Sequence, residues 1–438
     1  MLAGLSLGQI INYLHEKWQK LPDKRDTSNN NTKYKIEEAA LSAFAVFWMQ
    51  SPSFLAHQRD MQRRKGKSNA KSLFKIGGIP SDPQIRNILD QVEASHIDGA
   101  YYAMLGGLRK GGYMEVFEGY GKTELVSLDG FTFQSSKKVS CGKCTVRRDR
   151  NGDAHYDHSA VTPVIVHPEQ PYVLPLPLEF IVPQDGHEKQ DSEQAAIKRW
   201  FSKHSEGVKR RTRTYLADDL HSRQPTCQLI DEKYEQYFIF VCKPDSHKTL
   251  YKRVALREQA GTLGKHQSRK WNGRHGECWS YRFGSDLPLR EGQDAMRVNW
   301  AELTIMHQQT GEILYRNSWI TNHTVNAACV AGVAEAGRCR WKGENENNNV
   351  LTNRGYHAKH NFGHGKQHLA NTLLALNILA FLIHTVLDIT HQLYRKLRVE
   401  LGRRDTFFHD LRALTRYFLF NSWDVLWQLM ADGLALTH

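Results

Sequence analysis

The sequence predicts a mixed α/β protein with helical ends and a strand-rich centre. Three observations predict this fold class. Apolar residues recur at helical spacing over 6–20 and 35–50, β-branched and aromatic runs begin near residue 123, and long helical patterns return after residue 325. The chain has 438 residues, which is enough for two or three domains.

The first 115 residues are predicted to form a basic, helical region that contacts DNA. Residues 57–75 carry seven Lys and Arg side chains, of which Arg63, Arg64 and Lys65 are adjacent. A further helix is expected after Ser81 or Asp82, since either residue caps helices and Pro83 would follow in the first turn. A solvated charged helix is an equally good interpretation of any single basic cluster.

Strands and a helix then alternate, which predicts an α/β core. Strands are predicted over 123–133, 160–167, 172–182, 212–219 and 234–243, with a helix over 188–204. After residue 250 the chain is rich in Gly, Arg and Trp and alternates in polarity, which indicates a β-rich insertion. The predicted regions are a helical N-terminal region (1–115), a first core segment (116–249), a β-rich insertion (250–322), a second core segment (323–390) and a helical tail (391–438).

The composition indicates a polyanionic partner. Lys and Arg number 59 against 46 Asp and Glu, which gives a net charge of +13. Nucleic acid is the favoured partner, and an anionic membrane surface is the alternative partner. The charge is also compatible with an ordinary enzyme that happens to be basic. Seven cysteines, an odd number in a long chain, indicate the reducing cytosol, and the N-terminus does not resemble a signal peptide.

Residues 369–387 are apolar enough to suggest a membrane span. Asn371, Thr372, Asn377 and His384 interrupt this stretch, whereas a span needs about 20 nearly uninterrupted apolar residues. We therefore expect a buried helix in the core of a soluble protein, with a membrane-associated protein as the alternative.

Acidic residues stand at the predicted ends of two strands and in a helical segment. Asp129 stands at the end of the first apolar run within the predicted strand 123–133, and Gly130 follows it. Asp218 and Asp219 end the strand 212–219, and Glu344 lies in RWKGENENNN. Carboxylates held at strand ends present hard oxygen ligands, which suit two Mg²⁺ or Mn²⁺ ions. Spacing alone is a weak signal, because the chain has 46 acids and each could be a turn residue or a helix cap.

The segments that contain these acids resemble a known enzyme family. LDGFTF, YLADDLHSRQP, RWKGENENNN and RGYHAKHNFGHGKQHL resemble the DDE transposases of bacterial insertion sequences, the large cut-and-paste group. The resemblance covers about residues 79–380. It implies an RNase H-like catalytic core interrupted by the β-rich insertion, and a metal-dependent enzyme that cuts DNA and transfers the cut strand. It also implies that Asp129, Asp218 and Glu344 bind the two metal ions, with Asp219 as the alternative to Asp218.

The resemblance further implies partners and DNA contacts. The partners would be double-stranded DNA, as inverted-repeat ends and as target, and a second copy of the chain in a DNA-bound homodimer. The protein would be cytoplasmic, on the bacterial nucleoid and not in a membrane. Trp300 or Trp319 could stack on a displaced base, although a tryptophan in such a segment is more often a core residue. The side chains expected near the DNA end are Arg340, Trp341, Lys342 and Lys366.

Three positions depart from the family's pattern. Gly337 stands where a Tyr is expected, Gly343 where a large aliphatic residue is usual, and Leu351 where a Lys is expected. The missing Tyr and Lys favour one alternative, a catalytically inactive, transposase-derived DNA-binding protein. A nuclease of the same fold that does not transfer strands is a further alternative.

A second metal site is predicted in a loop over 138–160. Cys141 and Cys144 form a CxxC pair, and His155 and His158 follow, so two thiolates and two imidazoles could complete a tetrahedral zinc set. The loop is basic and could grip DNA. Free thiols beside solvated histidines are one alternative, and zinc with a ligand from elsewhere, such as His167, is another.

Three further histidines recur at four-residue spacing. His360, His364 and His368 could therefore share one face of a helix. Metal binding is possible for such a row, but phosphate contact or a plain polar face is the favoured interpretation.

Overall fold

The computed structural model describes residues 5–26, 32–62, 68–183 and 191–436. The predicted DNA-contacting group Arg63, Arg64 and Lys65 lies outside the described residues, and so does the start of the segment predicted as a helix over 188–204. Helices and strands are both abundant, which confirms the mixed α/β class.

The bounds of the elements agree with most of the sequence patterns. The helices are α1 (Leu7–Trp18), α2 (Ile36–Trp48), α3 (Phe54–Gln62), α4 (Asn69–Phe74), α5 (Asp82–Leu89), α6 (Asp98–Lys110), α7 (Glu193–His204), α8 (Gln224–Gln228), α9 (Lys248–Gln259), α10 (Val330–Arg338), α11 (Asn349–Asn353), α12 (Leu369–Thr390), α13 (Gln392–Glu400), α14 (Arg404–Tyr417) and α15 (Trp423–Gly433). The strands are β1 (Glu124–Ser127), β2 (Gly130–Ser136), β3 (Thr145–Arg148), β4 (Ala154–Val161), β5 (Val164–Val166), β6 (Leu174–Pro175), β7 (Glu179–Ile181), β8 (Arg213–Ala217), β9 (Tyr237–Val241), β10 (Gly264–Trp271), β11 (Gly276–Pro288), β12 (Arg297–His307) and β13 (Ile313–Thr321).

A nine-stranded sheet forms the centre of the protein, in the order β10-β11-β12-β13-β9-β8-β1-β5-β6. Strand β1 runs parallel to β8, and β8 runs parallel to β9. On its other side β1 pairs antiparallel with β5, which pairs antiparallel with β6. Strands β1, β8 and β9 are buried over almost their whole length, as expected for parallel strands that are covered on both faces.

The predicted β-rich insertion continues this sheet. Strand β13 pairs antiparallel with β9, and β12, β11 and β10 follow as an antiparallel meander. The first ten residues of the predicted insertion differ from the expectation, because they belong to helix α9. Leu250 and Val254 are one helical turn apart and buried, so helix α9 packs against β11 through this apolar face.

A bent hairpin connects the large sheet to a smaller one. Strands β1 and β2 form one arm of the hairpin, and β4 and β5 form the other. The same register continues through both sheets, with Ser127 opposite Val164 and Gly130 opposite Val161. Between them the backbone N–H of Thr162 donates to the Asp129 carbonyl at 2.9 Å. The single strand predicted over 123–133 is therefore broken at Asp129, where the chain passes from one sheet to the other.

Helix α12 contains the apolar stretch that suggested a membrane span. It is long and apolar enough to cross a membrane, but 94% of its most apolar window is buried inside the protein. It packs against α2, α6, α13 and β6. Two of its buried polar side chains bond to neighbouring segments, since Thr372 Oγ1 donates to the Val92 carbonyl at 2.6 Å and Asn377 Nδ2 donates to the Tyr356 carbonyl at 2.8 Å. These contacts are those of a helix buried in the core of the protein.

The predicted N-terminal region and tail form one helical body. The Trp48 ring of α2 lies 4.6 Å from the ring of Trp423 and 6.2 Å from that of Trp427 in α15. Asn69 Nδ2 donates to the carbonyls of Thr415 and Phe418 at 2.6 and 2.8 Å. Much of the tail's aromatic surface is therefore buried within the chain.

The element that carries Glu344 lies directly against β1. It is a wide, π-helical turn, Gly343–Asn348, that leads into α11. A Cβ atom at Gly343 would lie 2.6 Å from Ser127 Oγ, and one at Gly337 would lie 2.6 Å from Trp319 Nε1. Leu351 is fully buried. All three departures from the family's pattern are thus close-packed positions, which exclude the larger or charged residues expected there.

We expect Gly343→Ala to lower the free energy of unfolding by about 1–3 kcal/mol, because the new methyl group overlaps the Ser127 side chain. The matched control is Gly106→Ala inside α6, where a Cβ meets nothing within 4 Å. That change should raise the free energy of unfolding by about 0.5–1 kcal/mol, because Ala favours helix. Urea unfolding of both variants checks the prediction, and stabilisation by Gly343→Ala would contradict the close approach.

Candidate active site

The parallel pairing of β1 with β8 brings two of the predicted acids to one edge of the sheet. Ser127 and Leu216 are register partners, and the Leu128 N–H donates to the Leu216 carbonyl at 2.8 Å. Asp129 stands two residues after β1, and Asp218 follows β8 directly. Because the carboxyl ends of parallel strands meet at the same edge, these two acids enter the same region from different parts of the chain.

Glu344 reaches this edge from the turn packed on β1. Ser127 Oγ donates to the Arg340 carbonyl at 3.2 Å, which joins the strand to the start of the Glu344 element. At the end of the element, Asn348 Nδ2 lies 3.5 Å from Asp129 Oδ2, and Asn348 Oδ1 accepts from Thr162 Oγ1 at 3.1 Å. The segment that carries the exposed Glu344 side chain is therefore anchored at both ends by contacts to the β1–β5 hairpin.

The acids at this edge repel one another. Burial, together with the like charges of Glu193, Glu344 and Asp218, raises the pKa of Asp129 to about 6, although Arg340 acts in the opposite direction. Carboxylates crowded in this way are stabilised by a bound cation, and their oxygens are the ligands that Mg²⁺ and Mn²⁺ prefer. The charge pattern therefore suits divalent cations.

The two adjacent acids after β8 have different surroundings. The Lys243 N–H donates to Asp219 Oδ1 at 2.6 Å, Ser246 Oγ donates to Asp219 Oδ2, and His247 Nε2 lies 3.7 Å from Oδ1. Asp219 thus closes the turn that follows β9. The Asp218 side chain is about half exposed, at 51%. This difference favours Asp218 over Asp219 as a ligand.

Glu193 is a fourth carboxylate at the site, and the sequence did not indicate it. It lies in the first turn of α7, and its Oε1 is 2.8 Å from Nε2 of the buried His221. The same His221 nitrogen lies 3.9 Å from Asp218 Oδ1. A Cβ at Gly130 would collide with the Glu193 carboxylate, so the glycine after Asp129 is what admits this group. The one signal in the sequence was His221, a histidine that closely follows the two adjacent acids.

The predicted DNA contacts divide into accessible and buried side chains. Arg340 is partly buried beside Asp129, while Trp341 and Lys366 are exposed. Lys342 is buried, and its Nζ donates to the carbonyls of Pro168 and Gln170 at 3.0 and 2.6 Å. The prediction that Lys342 contacts DNA is therefore wrong, because this ammonium group holds a loop of the protein itself.

Trp300 and Trp319 are fully buried in the core. Trp300 packs edge-on against Tyr251, and Trp319 fills the space left by Gly337. Neither indole has a face free for a nucleobase, so the prediction that one of them stacks on a displaced base is wrong. The interpretation of both as core residues is the one that the structure bears out.

Three of the four predicted zinc ligands come together, and His364 takes the place predicted for His155. Sulfurs of Cys141 and Cys144 and the imidazole of His158 lie within 4.8 Å of one another, and His364 completes the group. His155 does not join them, because its Nε2 pairs with Asp149 Oδ2 at 3.2 Å. The predicted helical row of histidines is also wrong, because residues 354–368 form an irregular loop between α11 and α12.

No family model matches the chain, and no curated protein matches it. The functional assignment therefore depends on the geometry of the site. That geometry consists of four carboxylates and one guanidinium group at the edge of the sheet where β1 and β8 end. A separate cluster contains two thiols and two imidazoles.

We expect Asp129→Asn to raise the free energy of unfolding at pH 7 by about 1–3 kcal/mol, because it removes an acid whose pKa is raised from 3.8 to about 6 by folding. The gain should be full above pH 6, decline between pH 6 and pH 4, and vanish below pH 4, where Asp129 is protonated in both states. Urea unfolding with a chelator present, across this pH range, checks the prediction.

The matched control is Asp286→Asn. Hydrogen bonds from Arg297 lower the pKa of the exposed Asp286, so its charged form stabilises the fold. This substitution should therefore lower the stability at pH 7, and the difference should disappear as the pH falls. A loss of stability in Asp129→Asn at pH 7 would contradict the repulsion described at the site.

Proposed function

We propose that this protein is a DDE transposase, which cuts DNA at the ends of an insertion sequence and transfers the cut strand to target DNA. Its catalytic carboxylates would be Asp129, Asp218 and Glu344. The observation that carries the proposal is that Asp129 and Asp218 follow two paired parallel strands, and that burial and the nearby charges of Asp218 and Glu344 raise the pKa of Asp129.

The strand order supports an RNase H-like core as part of this proposal. In the series β6-β5-β1-β8-β9, strand β1 is central. The antiparallel strands β5 and β6 lie on one side of it, and the parallel strands β8 and β9 lie on the other. This is the arrangement expected of such a core. The first acid follows the first strand, the second follows the next parallel strand, and Glu344 comes after the β-rich insertion, in the order that the family resemblance implies.

The donor set suits Mg²⁺ or Mn²⁺. Asp129, Asp218 and Glu344 would hold the ions, and Glu193 lies close enough to contribute a further oxygen. When bound, two such ions supply an activated water or 3′-hydroxyl and stabilise the leaving oxygen. Among the described residues the three carboxylates do not form a cluster as compact as the Cys and His group, and the exposed Glu344 side chain is free to turn towards the others.

Other side chains of the site hold and balance these acids. Asn348 and Thr162 connect the Glu344 element to Asp129, so the first and third acids move together. His221 orients Glu193 beside Asp218. Arg340 favours the charged form of Asp129 and would contact a phosphate oxygen of the bound strand. Catalysis would then depend on positioning and on charge stabilisation, as in other phosphoryl transfers.

A basic groove supports a nucleic-acid partner. It runs between the loop after α11 and the start of α14, and its lining includes the exposed Arg354, His357 and Arg403. Arg412 also lines the groove and donates to the carbonyls of Met49 and Gln50, both at 2.9 Å. Arg354 follows α11 and thus lies only ten residues after Glu344 in the chain. Arginines in such a groove would position the DNA backbone near the site.

The catalytically inactive DNA-binding protein is the second candidate function. Leu351 and Gly337 are buried where the family has Lys and Tyr, so those two polar groups have no equivalent at these positions. The remaining alternative is a nuclease of the same fold. It differs from the proposed enzyme only in lacking strand transfer, so one assay separates all three.

We expect the protein to nick a supercoiled plasmid that carries the element's ends, with Mg²⁺ or Mn²⁺, and to join the cut ends to target DNA. Asp129→Asn, Asp218→Asn and Glu344→Gln should each reduce nicking by about 100-fold or more, since even changes beside a metal ligand reduce activity about 10–100-fold. Asp219→Asn is the matched control and should keep most of the activity. Gel analysis of the plasmid measures nicking and joining separately.

Each other result of that assay selects a different function. Binding of the ends without nicking in either metal would overturn the catalytic proposal and favour the inactive DNA-binding protein. Nicking without joining would favour the nuclease. Loss of activity in Asp219→Asn but not in Asp218→Asn would exchange the roles of these two acids.

We expect Arg354→Gln combined with Arg403→Gln to weaken DNA binding for every sequence, because both side chains would contact phosphates. The slope of log affinity against log salt should decrease by about 2, since each phosphate contact contributes about 0.9. Arg290→Gln combined with Arg297→Gln removes the same charge, but there each arginine is paired with an aspartate. Fluorescence anisotropy at several salt concentrations should separate the two double variants, and equal slopes would contradict the groove.

A further inference from the structure

Four soft metal ligands converge at the open end of the small sheet. Cys141 and Cys144 lie in the loop between β2 and β3, and His158 lies on β4. The fourth ligand, His364, comes from the loop between α11 and α12, 206 residues after His158. Both cysteines are free thiols, and all four ligand atoms lie within 4.8 Å of one another.

The distances between these atoms match the edges of a zinc tetrahedron. The two sulfurs are 3.8 Å apart and the two Nε2 atoms are 3.4 Å apart. Nε2 of His158 lies 3.5 and 3.4 Å from the sulfurs of Cys141 and Cys144, and Nε2 of His364 lies 3.5 Å from Cys144 Sγ. Zinc bonds of about 2.3 Å to sulfur and about 2.0–2.1 Å to nitrogen give tetrahedral edges of about 3.8 Å between sulfurs, about 3.6 Å between sulfur and nitrogen, and about 3.4 Å between nitrogens.

The loop that presents His364 is built tightly around it. Glycines flank the histidine on both sides, and a Cβ at Gly363 or at Gly365 would lie 2.8 or 2.3 Å from atoms of Leu369 and Asp90. Gly365 also has a φ of +69°, which favours glycine. The Asp90 carboxylate accepts backbone N–H groups from residues 366–369, all at 3.0–3.1 Å. This capping of α12 fixes the backbone next to His364.

We propose that Cys141, Cys144, His158 and His364 bind one zinc ion. Two thiolates and two imidazoles form a closed tetrahedral set with no open position, which is typical of a structural ion and not of a catalytic one. The ion joins two parts of the chain that are far apart in the sequence. One part is the small sheet, whose strand β2 starts immediately after Asp129, and the other is the loop that starts ten residues after Glu344.

The zinc ion therefore sets the relative position of the segments that follow Asp129 and Glu344. The ion binds through this chain's own side chains, whether or not the protein cuts DNA. Metal content and thermal stability consequently test the zinc site without any DNA substrate, so the failure of this proposal and the failure of the transposase proposal are distinguishable.

We expect the full-length protein, expressed with added zinc and purified under reducing conditions, to contain one zinc per chain by elemental analysis. Cys141→Ser and His364→Gln should lower zinc affinity by about 10-fold or more in chelator competition, because each removes a ligand. His155→Gln is the matched control and should keep the zinc, because His155 pairs with Asp149 instead. Loss of zinc in His155→Gln with retention in His364→Gln would overturn the ligand set.

Wild-type protein provides a test that does not depend on the folding of variants. Removal of zinc with a chelator should lower the melting temperature, and zinc should restore it. Protein reconstituted with Co²⁺ should show the visible absorption of a tetrahedral cobalt centre with thiolate ligands. Wild-type protein that contains no zinc and shows neither the cobalt absorption nor a change in melting temperature would overturn the proposal.

Discussion

The parallel pairing of β1 with β8 is the constraint on which the candidate site depends. It places Asp129 and Asp218 at one edge of the sheet, and the hairpin that continues from β1 supplies the surface on which the Glu344 element packs. Had β8 paired antiparallel, its acid would stand at the opposite edge. Gly130 and Gly343 are the local adaptations to this arrangement, because each leaves room where another chain segment approaches a strand.

The site residues that could be predicted are those whose neighbours in the sequence form a recognisable pattern. Asp129 and Asp218 each end an apolar run, so a local pattern places them at strand ends. Glu193 lies in the first turn of a helix, where an acid is ordinary, and only the packing of α7 on the small sheet brings it to Asp129. His364 was expected on a helix because four-residue spacing implies one, but the glycines beside it favour a loop.

The fold was predictable to a similar extent. Helical periodicity in the N-terminal helices and alternation in the insertion are local signals, and both elements are present. Which elements pack together is not a local property. Residues 250–259 lie within the predicted β-rich insertion, yet an apolar helical face that contains Leu250 and Val254 decides their structure. The contact between the first helices and the tail depends on Trp48 and Asn69, which carry no signal of partners 375 and 346 residues further along the chain.

The central position of helix α12 has a consequence for how the chain is made. Its 22 residues fill the space between the first helices and the last ones, so α2 and α6 lack their main neighbour until synthesis has passed residue 390. Contacts of such long sequence separation form slowly. A nascent chain exposes the apolar face of α2 in the meantime, and a ribosome that stops early releases a product without a closed core. The helical body can therefore close only late in synthesis, after α12 and the helices of the tail have been added.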